Sequence, residues 1–176
     1  MKKLLIVVDY KNDFVSGSLG FPEAEALEPK LHKKVQDYLD AKDDVVYTMD
    51  THGENYLDTR EGQKLPVPHC IRGTDGWQIC EEVQERIRPQ DRIVDKVTFG
   101  APDLPDIIRA ECGGMPEEIH LAGVWTDICV ISNAMICKAA FPEVPVFIHE
   151  RCCAGVTPES HATALEAMRA CQIDIL

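Results

Sequence analysis

Long apolar runs are missing from this chain of 176 residues, so no segment approaches the ~20 apolar residues that a membrane-crossing helix needs. Positive charge is scarce: 18 lysines and arginines stand against 30 aspartates and glutamates, a net charge of −12. That balance argues against an unaided nucleic-acid binder or a partner of anionic membranes. There is no CxxC pair, which removes the zinc-ribbon and thioredoxin-type motifs. Internal repeats, low-complexity tracts and linkers are also absent, and one domain over residues 1–176 is expected.

What remains has the composition of an ordinary globular protein, 45% hydrophobic and 27% charged, with enough chain for a substantial core. The opening "MKKLLIVVDYKNDF" sets two lysines before an apolar run, as a signal peptide would. The run is short, ends at Asp9 and lacks a small-residue cleavage site, so a first buried strand is the expectation. Eight cysteines without an export signal read as reduced thiols, and the expected compartment is the cytoplasm.

Apolar runs fit buried strands at Leu4–Val8, Val45–Met49, Arg92–Val94, Ile119–Val124 and Val146–His149, with a short sixth at Ile173–Leu176. Helical patterns lie between them, at Ala24–Leu39, Trp77–Ile87, Leu104–Glu111, Cys129–Ala140 and Pro158–Cys171. Strands buried on both faces and alternating with helices predict a three-layer, doubly wound α/β fold with a mainly parallel sheet. Ligands of such folds bind beyond the carboxyl ends of the strands. The polar stretch Asp50–Gly76 stands apart as one long loop, a length that is usually functional.

The strand ends carry chemistry. The first ends in Asp9, the third in Lys96, and the fourth runs through a turn at Trp125–Asp127 towards Cys129. Asp127 reads as the N-cap of the next helix, which puts Cys129 in the first helical turn. An acid, a cation and a thiol on one sheet edge form an activated nucleophile, with Lys96 and the helix N-terminus favouring the thiolate and Asp9 accepting its proton. Taken singly, each has a plainer reading as a capping acid, a solvated lysine or a core thiol. In the long loop, Asp50, His52 and His69 form a common ligand set for zinc, manganese or iron. Spacing alone favours a turn-capping Asp50 and exposed histidines, because 17 residues separate His52 from His69. Glu54 and Glu61 are equally open as fourth ligands.

Six segments, in order, resemble one family. They are "VVDYKNDF" (7–14), "DTH" (50–52), "PHCIRGTDG" (68–76), "DKVTFGA" (95–101), "GVWTDICV" (123–130) and "CAGVTPESHATAL" (153–165). Together they resemble the isochorismatase-like cysteine hydrolases, and among these the nicotinamidases, over essentially the whole chain. The resemblance implies Asp9, Lys96 and Cys129 as catalytic triad and Asp50, His52 and His69 as ligands of one divalent ion. It further implies a cis peptide between Val124 and Trp125, an oxyanion hole from the N–H groups of Trp125 and Cys129, and ring packing by Phe14 and Trp125. The expected partners are a small-molecule amide and further copies of the chain in a homo-oligomer. Two departures bear on the ring pocket: Leu65, Pro66 and Val67 replace a tryptophan usual in nicotinamidases, and Trp125 replaces a small residue. The readings set beside a nicotinamidase are a relative cleaving another small amide, a ureido compound or an enol ether, and a thiol sensor or non-catalytic binding module.

Overall fold

The computed structural model describes residues 2–176. Six strands form one sheet: β1 (Lys3–Val8), β2 (Asp44–Asp50), β3 (Arg92–Lys96), β4 (Glu118–Val124), β5 (Val146–Ala154) and β6 (Asp174–Ile175). Their order across the sheet is β3-β2-β1-β4-β5-β6, and every neighbouring pair is parallel. The helices are α1 (Asn12–Val15), α2 (Pro22–Glu25), α3 (Glu28–Asp40), α4 (Arg60–Lys64), α5 (Glu81–Gln84), α6 (Leu104–Glu111), α7 (Ile131–Ala140) and α8 (Pro158–Ala170). None is long and apolar enough to cross a membrane.

The alternation along β1 explains the layering. Leu4, Ile6 and Val8 point into a core shared with Leu104, Ile108, Ala134 and Leu165 from α6, α7 and α8. Leu5 and Val7 point the other way, onto Leu31, Val35 and Tyr38 of α3. All five β1 residues are essentially sealed from solvent. Each buried aliphatic side chain stabilises the fold by about 1.5–3 kcal/mol. The expected doubly wound parallel sheet is the observed one.

Several expected boundaries change, each for a local reason. The helix expected over Ala24–Leu39 is two, α2 and α3, because each starts on a proline in its first turn, where the missing N–H is harmless. Of the helix expected over Trp77–Ile87 only α5 forms. Ile79 instead pairs with Lys11 as an isolated bridge, and the Cys80 N–H donates to the Tyr10 carbonyl. The fifth strand runs on to Ala154 across a register shift opposite Leu121–Gly123. The 50–76 loop carries a 3-10 turn at Tyr56–Asp58 and the short helix α4.

The strand order reverses between β1 and β4, which opens the crevice where this topology binds ligands. Close approach of these two strands requires Gly123. Its φ is +125°, and a Cβ there would lie 2.1 Å from the Val8 carbonyl oxygen. Gly123→Ala should therefore destabilise the protein by about 3 kcal/mol or more, read from the urea midpoint. A midpoint equal to wild type would contradict this packing.

Candidate active site

The ends of three strands bring Asp9, Lys96 and Cys129 to one place. Asp9 follows β1 in the left-handed region, φ 48°, which aspartate tolerates better than most residues. Its Oδ1 accepts hydrogen bonds from Thr48 Oγ1 (2.7 Å) and the Asp50 N–H (3.1 Å). Its Oδ2 lies 2.6 Å from Lys96 Nζ in a fully buried ion pair. Lys96 is fixed by register: it sits opposite Asp50 across the β2–β3 pair. Its Nζ donates to Asp50 Oδ1 (3.1 Å) and the Thr98 carbonyl (2.9 Å), and lies 3.6 Å from Cys129 Sγ. Burial opposes the Lys96 charge, but the Asp9 and Asp50 carboxylates outweigh it and raise the pKa, keeping the ammonium protonated.

Cys129 is reached through the Val124–Trp125 peptide, which is cis as the resemblance implied, and a π-helical turn over Thr126–Val130. In this turn both the Ile128 and Val130 N–H groups donate to the Trp125 carbonyl. Two expectations change here. Asp127 does not cap the helix; its carboxylate accepts from the Val156 N–H (3.1 Å) and so ties the turn to the approach to α8. Nor is the resting Cys129 a thiolate. Burial, helped by the Asp9 carboxylate, pushes the thiol well above its ordinary pKa, and Lys96 offsets this only in part. Cys129 thus holds its proton until a base removes it.

The loop brings the second set together despite the long spacing. The His52 N–H donates to the Cys70 carbonyl and the Arg72 N–H to the His52 carbonyl, both at 2.9 Å, so residues 69–72 lie beside residue 52. The Cys70 N–H in turn donates to Asp13 Oδ2 (2.7 Å), which secures the segment to α1. One ligand atom each from Asp50, His52 and His69 falls within a 4.8 Å cluster, with all three residues buried. Glu61 on α4 places Oε1 3.6 Å from Nε2 of both histidines, whereas Glu54 is exposed. The fourth group at the cluster is therefore Glu61. His69 Nδ1 lies 2.8 Å from the Val67 carbonyl, a contact that requires Nδ1–H and leaves Nε2 free to ligate. Burial opposes charge on Asp50, yet His52, His69 and Lys96 hold its carboxyl far below the usual range. An ionised carboxylate, two imidazoles and a nearby glutamate are suitable donors for a divalent ion.

Cys129 of the first set and Asp50 and His69 of the second line one small cavity of about 50 Å³, together with Phe14, Leu65, Phe99 and Trp125. Phe14 packs at 5.5 Å from His69 and 5.9 Å from Trp125 between ring centroids. A larger open cavity of about 930 Å³ lies elsewhere, lined by Glu25, Glu28, Glu81, Glu82 and Glu85. It is lined by Cys80 but by none of Asp9, Lys96, Cys129, Asp50, His52 and His69, so the chemistry belongs to the smaller one.

A family-level comparison agrees with this geometry. Residues 3–176 match the isochorismatase domain family. The chain belongs to that family. It is 32% identical to an uncharacterised isochorismatase family protein, PncA, of Bacillus subtilis, over 94% of this chain and 93% of that one. It is 31% identical to a nicotinamidase of Saccharomyces cerevisiae over 76% of this chain and 80% of the yeast protein. Among solved structures, the zinc complex of a pyrazinamidase from Pyrococcus horikoshii superposes with a TM-score of 0.86 at 26% identity, covering 100% and 99% of the two chains.

Three contributors escaped sequence reasoning. Phe99 was unremarked within "DKVTFGA", and nothing in the sequence marks Lys11 as buried. Asn133 was legible, since it lies four residues after Cys129 and so faces the same side of the helix. It is fully buried, donating to the Cys129 carbonyl (2.8 Å) and the Phe99 carbonyl (3.2 Å) and accepting from the Ala101 N–H (3.0 Å). One amide thus joins the nucleophile turn to the segment after Lys96. Asn133→Leu should lower stability by at least about 2 kcal/mol in urea denaturation, because it strands buried backbone groups. A loss near zero would show that those groups find other partners.

Proposed function

We propose that this protein is a metal-dependent nicotinamidase, converting nicotinamide and water to nicotinate and ammonia through a thioester on Cys129. The observation that carries the reading is that Cys129, backed by Asp9 and Lys96, shares one aromatic-lined cavity with Asp50 and His69 of the Asp50–His52–His69 cluster. The yeast nicotinamidase and the zinc-bound pyrazinamidase support the substrate class and the ion. The family match over residues 3–176 supports reading the chain as one domain, and eight free thiols suit a reducing cytoplasm.

The buried Asp9 carboxylate, paired with Lys96, takes the Cys129 proton as the sulfur attacks the amide carbon. Lys96 stays protonated and supplies the compensating charge to the sulfur 3.6 Å away. The N–H groups of Trp125 and Cys129 receive the oxyanion, worth about 3–4 kcal/mol in comparable sites. Protonated Asp9 returns its proton to the leaving nitrogen, ammonia departs, and an acyl group remains on sulfur. Asp9 then serves as base for the water that releases the acid. Asp50, His52 and His69, with Glu61 beside them, would hold a divalent ion whose chemistry is to bind the pyridine nitrogen and order water. Phe14 and Trp125 pack against the ring.

The reading is tested with two amides of one shape. Wild-type enzyme should favour nicotinamide over benzamide by at least about 100-fold in kcat/KM, because benzamide lacks the ring nitrogen that the site is built to receive. Cys129→Ala should lose turnover of nicotinamide by about 10³-fold or more. Equal rates on the two amides, or near-native activity of the alanine variant, would overturn the assignment.

A further inference from the structure

Lys11 stands two residues beyond Asp9, and no step above uses it. Its side chain is fully buried, an expensive place for an ammonium group that lacks firm partners. Its Nζ donates to the main-chain carbonyl of Asp50. The same nitrogen lies 5.7 Å from the ring centroid of Trp77. Trp77 is itself anchored, donating from Nε1 to Thr51 Oγ1 at 2.8 Å, and Thr51 donates on to Asp95 at 3.0 Å. The backbone of Lys11 is held by its bridge to Ile79 and by the Phe14 and Val15 N–H groups, which both donate to its carbonyl. The ammonium, with the Cys70 thiol also beside it, is therefore held by fixed surroundings onto the Asp50 carbonyl oxygen.

That atom belongs to the most heavily shared residue of the site. Asp50 gives Oδ1 to Lys96 (3.1 Å), while its Oδ2 faces His52 (2.9 Å) and His69 (3.5 Å). A carboxylate with two duties at opposite oxygens tolerates little movement of its main chain. The Asp50 N–H is held by Asp9 Oδ1, and the Asp50 carbonyl is held by Lys11. We propose that Lys11 is a positioning residue for the metal centre: its grip on the Asp50 carbonyl lets one carboxylate serve Lys96 and the divalent ion together. This rests on the metal-dependent reading above.

Charge and position predict opposite results, which makes the proposal decidable. Removing an ammonium near a dication would, by charge alone, tighten the ion. Losing a group that orients a ligand weakens it, typically 10–100-fold. The experiment titrates chelator-stripped protein with zinc chloride against a competing indicator dye, for wild type, Lys11→Met and Lys11→Gln. The melting temperature of each stripped protein is recorded alongside. Lys11→Met should bind zinc about 10–100-fold more weakly, while Lys11→Gln, whose amide still donates, should stay within about threefold of wild type. Equal or tighter binding by Lys11→Met overturns the proposal while leaving the metal reading intact. Absence of zinc binding by wild type overturns both. Should Lys11→Met fail to fold, the glutamine variant decides: near-native affinity supports the proposal, and a tenfold loss overturns it.

Discussion

The site depends on one buried cation. Lys96 Nζ lies 2.6 Å from Asp9, 3.1 Å from Asp50 and 3.6 Å from the Cys129 sulfur. An ammonium sealed from water is tolerated only where anionic partners surround it, and here two carboxylates do so. Their presence keeps Lys96 charged, and its charge keeps two carboxylates close together in a dry interior. The same cation joins two clusters that the sequence separates widely, since Asp9 neighbours Cys129 and Asp50 belongs with His52 and His69.

The fold supplies this meeting through the sheet alone. Parallel strands place their carboxyl ends on one edge, and the register sets Asp50 opposite Lys96 and Val8 opposite Gly123. Gly123 allows β4 to lie close to β1, and the cis peptide and π-helical turn then carry the chain from Val124 to Cys129. Asn133 holds that turn against the segment following Lys96. Cys129 and Asp9 thus rest on rigid strands and a buried amide, the fixed geometry that the proposed proton transfer between them needs.

Much of this is legible in the sequence. Buried strands announce themselves as apolar runs, and a residue that ends such a run must lie at the sheet edge, so Asp9, Lys96 and Cys129 could be grouped from position alone. The metal ligands could not. His52 and His69 meet because of backbone hydrogen bonds to Cys70 and Arg72, and such pairings leave no trace in residue type. For the same reason Glu54 and Glu61 were equivalent in sequence, and only the placement of α4 separates them. Asp127 was misread because a capping residue type sat at a capping position, while the turn it belongs to is wider than an α-helical one. The thiolate expectation failed because burial, invisible in sequence, outweighs a neighbouring cation. Lys11 shows the same limit, since a lysine between polar residues gives no sign of being enclosed.

A direct test of the account traps the nucleophile with an electrophile of the right shape. Pyridine-3-carboxaldehyde, labelled with carbon-13 at its carbonyl, is added to the enzyme and followed by NMR. Attack by Cys129 converts the planar carbonyl carbon to a tetrahedral one bearing sulfur, a change that moves the resonance far upfield. The account predicts this thiohemiacetal signal in wild-type protein, its loss in Cys129→Ala, and its weakening when the metal is removed by chelation. A labelled carbonyl that gives the same free and hydrated signals with and without Cys129 would contradict it.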